Sequence, residues 1–166
     1  MSESLARVTA LSGETAPDIG ELVLAFASVR TQNARAIGAT AAAHGISATD
    51  LRAVAFVSMA GGATPKQVAE HLGLTTGALT TLVDRLERAA FVTRTANPND
   101  RRSLLLRLTP QGSAVMVELN DFYRDAFSHT FDEEEIPRMR EAFLALAEAL
   151  KRVADSRGSV AGAAAE

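Results

Sequence analysis

The run Thr64-Pro65-Lys66-Gln67-Val68-Ala69-Glu70-His71-Leu72-Gly73-Leu74-Thr75-Thr76-Gly77-Ala78-Leu79-Thr80-Thr81-Leu82-Val83-Asp84-Arg85-Leu86-Glu87 decides how the chain folds. Thr64 is placed to cap the backbone N–H of Gln67 while Gln67 reaches back, and Pro65 stands where a helix needs no N–H. Val68, Ala69 and Leu72 make the apolar side of a short helix that Gly73 ends. Leu74 and Thr75 lead at once into a second helix, whose Leu79, Leu82, Val83 and Leu86 form one apolar stripe. Two short helices joined by a tight turn containing Gly describe a helix-turn-helix.

Upstream, Ile19 to Ala43 reads as one long helix with Leu22, Phe26, Val29 and Ile37 among its apolar positions, stopped at His44-Gly45. A further helix begins near Ser47 to Thr49, places Leu51, Val54, Ala55 and Ser58 at helical spacing, and ends at Gly61-Gly62. Downstream, Phe91 to Thr95 and Ser103 to Leu108 have strand composition, with Leu104, Leu106 and Leu108 alternating against polar partners except at Leu105. Asn97-Pro98-Asn99-Asp100 between them is turn chemistry, so the segment predicts a hairpin with a basic tip, Arg101-Arg102: a wing. Thr109-Pro110-Gln111-Gly112 repeats the Thr-Pro start and opens a helix through Met116, Leu119, Phe122 and Ala126 to about His129. Asp132 to Glu135 put negative charge where a helix N-terminus favours it. In the last helix Met139, Phe143, Leu146, Leu150 and Val153 form a short heptad seam.

The expected architecture is mainly α with a small β-hairpin wing. A winged helix-turn-helix occupies residues 47–108, and a helical dimerisation region is drawn from 18–46 and 109–155. The segments 1–17 and 156–166 are expected to lack structure.

The chain has 166 residues, enough for one domain with a real core. With no Cys it has no structural disulfide, Cys-ligated zinc, iron–sulfur cluster or thiol redox switch. No stretch approaches the roughly 18 apolar residues of a membrane helix, and the N-terminus is not of signal-peptide type. A cytoplasmic protein with no membrane partner is expected. The net charge of −3 speaks against nucleic acid until it is divided along the chain. Residues 1–65 carry a net −1, residues 66–107 carry +3 from seven bases and four acids, and residues 108–166 carry −5. The helix-turn-helix and wing are therefore basic, and local charge governs phosphate attraction.

The runs Thr64-Pro65-Lys66-Gln67-Val68-Ala69, Leu79-Thr80-Thr81-Leu82-Val83-Asp84-Arg85-Leu86-Glu87 and Asn97-Pro98-Asn99-Asp100-Arg101-Arg102-Ser103, followed by Leu108-Thr109-Pro110-Gln111-Gly112, resemble the MarR family of bacterial winged-helix regulators. The resemblance extends from about Ile19 to Val153. It implies a homodimer formed by the N- and C-terminal helices, binding to palindromic operators on double-stranded DNA, and often release by a small phenolic or aromatic effector. Two departures stand out. Ala90 replaces the Gly usual after the recognition helix, and a left-handed Ala costs roughly 1 kcal/mol, so the helix is expected to end differently. The recognition helix also begins Thr75-Thr76-Gly77-Ala78, without the Asn, Gln or Arg that read base edges bidentately.

Thr75, Thr76, Gly77, Thr80 and Thr81 are expected on the face opposite the apolar stripe, as a major-groove surface or an ordinary polar one. Arg101 and Arg102 are candidates for the minor groove, with Asn99 beside them and Asp100 bracing the turn. Asp84 and Arg85 read as an ion pair that positions the wing, with Arg85 touching a phosphate. Lys66, Arg88, Arg94 and Arg107 are further phosphate candidates or solvated charges. Met139, Phe143, Leu146, Leu150 and Val153 make a dimer interface or an intramolecular core. Phe26, Arg30, Phe56, Met59 and Phe122 are candidates for an effector pocket, with Arg30 suited to an anion. His44, His71 and His129 lack ligand spacing, so no metal or cofactor is expected, and no catalytic constellation marks an enzyme. The leading expectation is a dimeric DNA-binding transcription regulator, a repressor released by a small molecule. A ligand-sequestering or protein-interaction module on the same fold, reading DNA weakly, is the alternative.

Overall fold

The computed structural model describes residues 17–98, 100 and 102–163, with side chains from Ile19 to Ser156. Helix α1 is Pro17–Ala43, α2 is Ala48–Met59, α3 is Pro65–Leu72 and α4 is Thr76–Arg88; strands β1 and β2 are Val92–Ala96 and Leu104–Leu108; α5 is Pro110–Ser128 and α6 is Ile136–Ala163. The chain divides into two compact units, one up to Leu119 and one from Asn120 onward.

In the first unit the helix starts follow side-chain chemistry. Thr64 and Gln67 form a reciprocal capping box at α3, Gln67 Oε1 accepting from the Thr64 N–H at 2.8 Å. Ser47 and Asp50 form the same box at α2, and the Thr75 hydroxyl accepts from the Ala78 N–H at α4. Gly73 ends α3 in the left-handed conformation. The strands pair antiparallel with Val92 opposite Leu108 and Ala96 opposite Leu104. Ala63, in the connection between α2 and α3, adds a third partner by exchanging both backbone hydrogen bonds with Leu106, at 2.8 and 3.1 Å. The core gathers Leu51, Val54 and Val57 of α2, Val68 of α3, the full Leu79, Leu82, Val83, Leu86 stripe of α4, and Phe91, Val92, Leu106 and Val115.

Three details depart from the sequence reading. The buried face of α2 is Asp50, Leu51, Ala53, Val54 and Val57, not the row ending at Ser58, because α2 packs against α3 and β2 as well as α1. Leu104 is 48% exposed, since it lies at the tip end of β2 beyond the core. Helix α6 continues to Ala163, through a stretch expected to lack structure; its alanines are the strongest helix formers.

The end of α4 is the most informative correction. Ala90 does adopt φ 57°, the left-handed conformation. The Ala90 N–H bonds to the Glu87 carbonyl and the Phe91 N–H to the Leu86 carbonyl at 2.9 Å, which is the double bond of a Schellman ending. Burial of Phe91, 1% exposed, holds it there. The start of α5 is built on the same residue. The Thr109 N–H donates to the Phe91 carbonyl at 3.1 Å, the Thr109 hydroxyl donates to the Ala90 carbonyl, and the Gly112 N–H donates to the Thr109 oxygen at 3.1 Å. A Cβ on Gly112 would lie 2.1 Å from the Phe91 carbonyl oxygen. Gly112 is thus a steric requirement, and Thr109 a hydrogen-bonding one, for seating α5 against the end of α4.

The second unit contains the end of α5 and all of α6. Phe127 lies 6.2 Å from Phe131 and 6.3 Å from Phe143 between ring centres. These rings, with Ile136, Met139, Leu144 and Arg140, line a cavity of about 310 Å³. Further along α6, Leu146, Leu150 and Val153 are 40–49% exposed.

Two opposite substitutions test the junction. Ala90→Gly relieves the left-handed alanine and should raise unfolding free energy by about 1 kcal/mol. Gly112→Ala should lower it by more than 2 kcal/mol, in the range of overpacking in a close-packed site. Urea denaturation of both variants measures the two signs.

Candidate nucleic-acid interface

Helix α4 buries its stripe and turns Thr75, Thr76, Gly77, Ala78, Thr80 and Thr81 outward. The Thr80 hydroxyl donates to the Thr76 carbonyl at 3.0 Å and that of Thr81 to the Gly77 carbonyl at 3.2 Å. A Cβ built on Gly77 meets nothing within 4 Å. The face is shallow, small-residued and free of charge over its first two turns.

The orientation of α4 is fixed by a residue the sequence reading passed over. The Asp50 side chain, 1% exposed, takes the Arg85 guanidinium in a two-pronged contact, Nε to Oδ2 at 3.0 Å and a terminal nitrogen to Oδ1 at 2.6 Å. Ser47 adds its backbone N–H at 3.0 Å and its hydroxyl at 2.8 Å. One carboxylate thereby caps α2 and anchors α4. Arg85 is consequently paired with Asp50 and not with Asp84, through Nε and one terminal nitrogen, while its side chain stays 45% exposed. The signal was present as Ser47-x-x-Asp50, a capping-box spacing, but nothing local announces a partner thirty-five positions away.

Asp84 braces the wing through a different arginine. Arg94 of β1 donates to Asp84 Oδ1 at 2.6 Å and lies 3.1 Å from Glu87 Oε2. Arg107 of β2 donates to the Gly61 carbonyl at 3.2 Å. Arg94 and Arg107, read as phosphate candidates or solvated charges, are therefore engaged in holding the wing to α4 and to the end of α2. At the wing tip, the Arg102 N–H donates to Asp100 Oδ1 at 3.0 Å and the Ser103 N–H to the Asp100 carbonyl at 3.0 Å. The Asn97 amide donates to the Ser103 hydroxyl at 2.8 Å. Asp100 sits at the centre of this turn. Asn99 and Arg101 lie outside the described residues. Lys66, Arg88 and Arg102 are the exposed cations of this region with the loosest tethers: Lys66 is 3.8 Å from Glu70, and Arg88 Nε donates only to the Asp84 carbonyl.

Four of the five effector-pocket candidates belong to the first unit and the fifth, Phe122, to the second. Arg30 lies over the Phe26 ring at 6.0 Å, Phe56 stacks on His71 at 4.1 Å, and Met59 is 83% exposed. Of the five, Arg30 alone lines the α1–α2 groove of about 650 Å³, which is also bounded by Ala27, Thr31, Asn33, Ala34, Ile37, Ala48 and Arg52. Neither guanidinium there has a carboxylate partner among the described residues. His44 instead bonds Glu118 at 2.8 Å and His129 its own helix at Asp125. No three metal-ligating side chains gather among the described residues.

Burial raises the Asp50 carboxyl pKa, but the hydrogen bonds from Arg85 and Ser47 outweigh it and bring it below the ordinary aspartate value. A folded-state value below the unfolded one contributes stability that is complete above about pH 3.9 and lost as pH falls through the lowered value. Asp50→Asn should therefore cost about 2 kcal/mol near neutral pH, a hydrogen-bonded charge pair with one partner half-exposed. The difference from the parent should shrink as urea unfolding is repeated below about pH 3.9. A pH-independent difference would show that the carboxylate charge is not what matters.

Residues 44–103 match the model of the MarR family. The chain is 39% identical over 70 residues to the multiple antibiotic resistance protein MarR of Salmonella typhimurium, covering 42% of this chain and 49% of that protein. The matched stretches span about half the length of the first curated relatives, from 49% to 59%. The structure of MarR from E. coli superposes with a TM-score of 0.56 at 23% identity, covering 81% of this chain and 98% of that one. Streptococcus pneumoniae FabT, in a crystal structure in complex with DNA, superposes with a TM-score of 0.52 at 28% identity, covering 65% and 78%. The chain is thus similar to the MarR family in sequence over residues 44–103 and shares the fold of a MarR structure over four-fifths of its length.

Proposed function

We propose that the protein is a homodimeric, sequence-specific regulator of transcription that binds palindromic double-stranded DNA through α4 and the wing, and that it is a repressor released by a small aromatic or anionic effector. The observation that carries the DNA reading is the outward face of α4, held by Asp50–Arg85 beside a wing that is itself braced to α4 through Arg94. An exposed helix face of one unit, with an adjoining basic hairpin, fits major-groove insertion with a flanking minor-groove contact. FabT, at 28% identity, is a DNA-bound relative of this fold.

The dimer is supported by the apolar residues left uncovered. Phe143, Leu146, Leu150 and Val153 of α6 and Leu22, Val23 and Val29 of α1 are each between 40% and 68% exposed, apolar side chains of the kind that a partner subunit covers. Two-fold symmetry sets two readers about 34 Å apart, one turn of the double helix. The α1–α2 groove, with Arg30 and Arg52 above an alanine and isoleucine floor, suits a small anion with an apolar body. Binding there would release DNA by favouring a state in which the two readers no longer match successive grooves.

Two measurements test this reading. Fluorescence anisotropy with duplex DNA should show affinity falling steeply with salt. The pair Arg101→Ala and Arg102→Ala should lower affinity at least tenfold while sedimentation still reports a dimer. Unchanged affinity removes the wing assignment, and a monomer in the parent protein removes the two-reader geometry. Arg30→Ala with Arg52→Ala should leave DNA affinity within about threefold and abolish release by salicylate-like aromatic carboxylates. Retained release locates the effector elsewhere.

A further inference from the structure

We infer that the recognition helix reads thymine methyl groups, so that the half-site it fits is A·T-rich with thymine facing Gly77, Thr80 and Thr81; the inference rests on the DNA-binding reading above. Positions 77, 80 and 81 are neighbours on one helix face, being three and four residues apart. The hydroxyls of Thr80 and Thr81 are turned back to donate to the Thr76 and Gly77 carbonyls. With the oxygen of a β-branched side chain bound to its own helix, the γ-methyl is the group left outermost. Gly77 has no Cβ and open space above it, so it forms the floor of a shallow notch walled by the two threonines. The neighbouring Ala78 is exposed and adds another methyl, while the Thr75 oxygen is occupied as acceptor for the Ala78 N–H.

Guanine shows two acceptors in the major groove and needs a donor such as Arg or Lys, whereas thymine shows a C5-methyl group. No Arg, Lys, Asn or Gln stands between Thr75 and Thr81. The arginine next along the helix is held by Asp50, and Arg94 and Arg107 are held within the wing. The surface thus offers guanine no long donor, and offers thymine an apolar notch of methyl size. The threonine oxygens keep lone pairs, which accept from the exocyclic amino groups of adenine or cytosine.

The test uses the full-length protein and a random duplex pool, selected at low and moderate salt. The expected product is an A·T-rich half-site. Single replacement of its thymines by deoxyuridine should weaken binding about fourfold at each contacted methyl. Thr80→Ser and Thr81→Ser, which remove the methyl and keep the hydroxyl, should erase the thymine-over-uracil preference. Thr80→Val and Thr81→Val, which keep the methyl, should preserve it. A guanine-led half-site indifferent to deoxyuridine would overturn the inference while leaving the DNA reading intact. Salt-dependent binding without sequence enrichment would overturn the inference together with the sequence specificity, leaving duplex binding alone. Absence of duplex binding at low salt would overturn both the inference and the DNA reading.

Discussion

The geometry of the first unit depends on the buried Phe91 and on the three residues that hold the chain around it, Ala90, Thr109 and Gly112. Ala90 takes a left-handed turn that its side chain disfavours, Phe91 drops into the core, and Thr109 and Gly112 close over the Phe91 carbonyl from the other side. Helix α4, strand β1 and helix α5 all have an end at this point. The strain at one residue is small against the burial of a phenylalanine side chain, about 1 kcal/mol against 1.5–3, so packing wins and the helix ends where the family pattern would have had a glycine.

Much of this was legible in the sequence because it is local. Capping boxes, Thr-Pro helix starts, the stripe Leu79, Leu82, Val83 and Leu86, and the turn around Asn97 to Asp100 depend on neighbours within four or five positions. What escaped is what depends on distant partners. Asp50 looks like a surface carboxylate at the head of a helix, and only the tertiary fold brings Arg85 to it. Arg94 and Arg107 look like free charge until the pairing of β1 with β2 and the approach of Gly61 become known. The phenyl rings proposed as one pocket were chosen for chemistry, and within the first unit Phe26 lies under Arg30 while Phe56 stacks on His71. At Ala90 the local preference was read rightly and lost to burial.

The separation of roles among the arginines changes how the basic middle segment is understood. Its net charge of +3 is a property of the sequence, but several of those charges are spent on architecture. Arg85 and Arg94 position the helix and the wing, and Arg107 ties the wing to the end of α2. Among the described residues of this segment, Lys66, Arg88 and Arg102 are exposed and more loosely held. Attraction at long range sees the whole segment, since paired charges still contribute to the field, whereas short-range contact involves only the cations that can reorient.

The bridge between Ala63 and Leu106 makes the wing mechanically uneven. Its root is clamped by three backbone segments and a buried leucine, while beyond Leu104 the described residues of the loop bond to one another around Asp100 and Asn97. The hairpin is a cantilever, clamped where it leaves the body. Amide protons near Leu106 should open only with the whole unit, those near Arg102 independently of it.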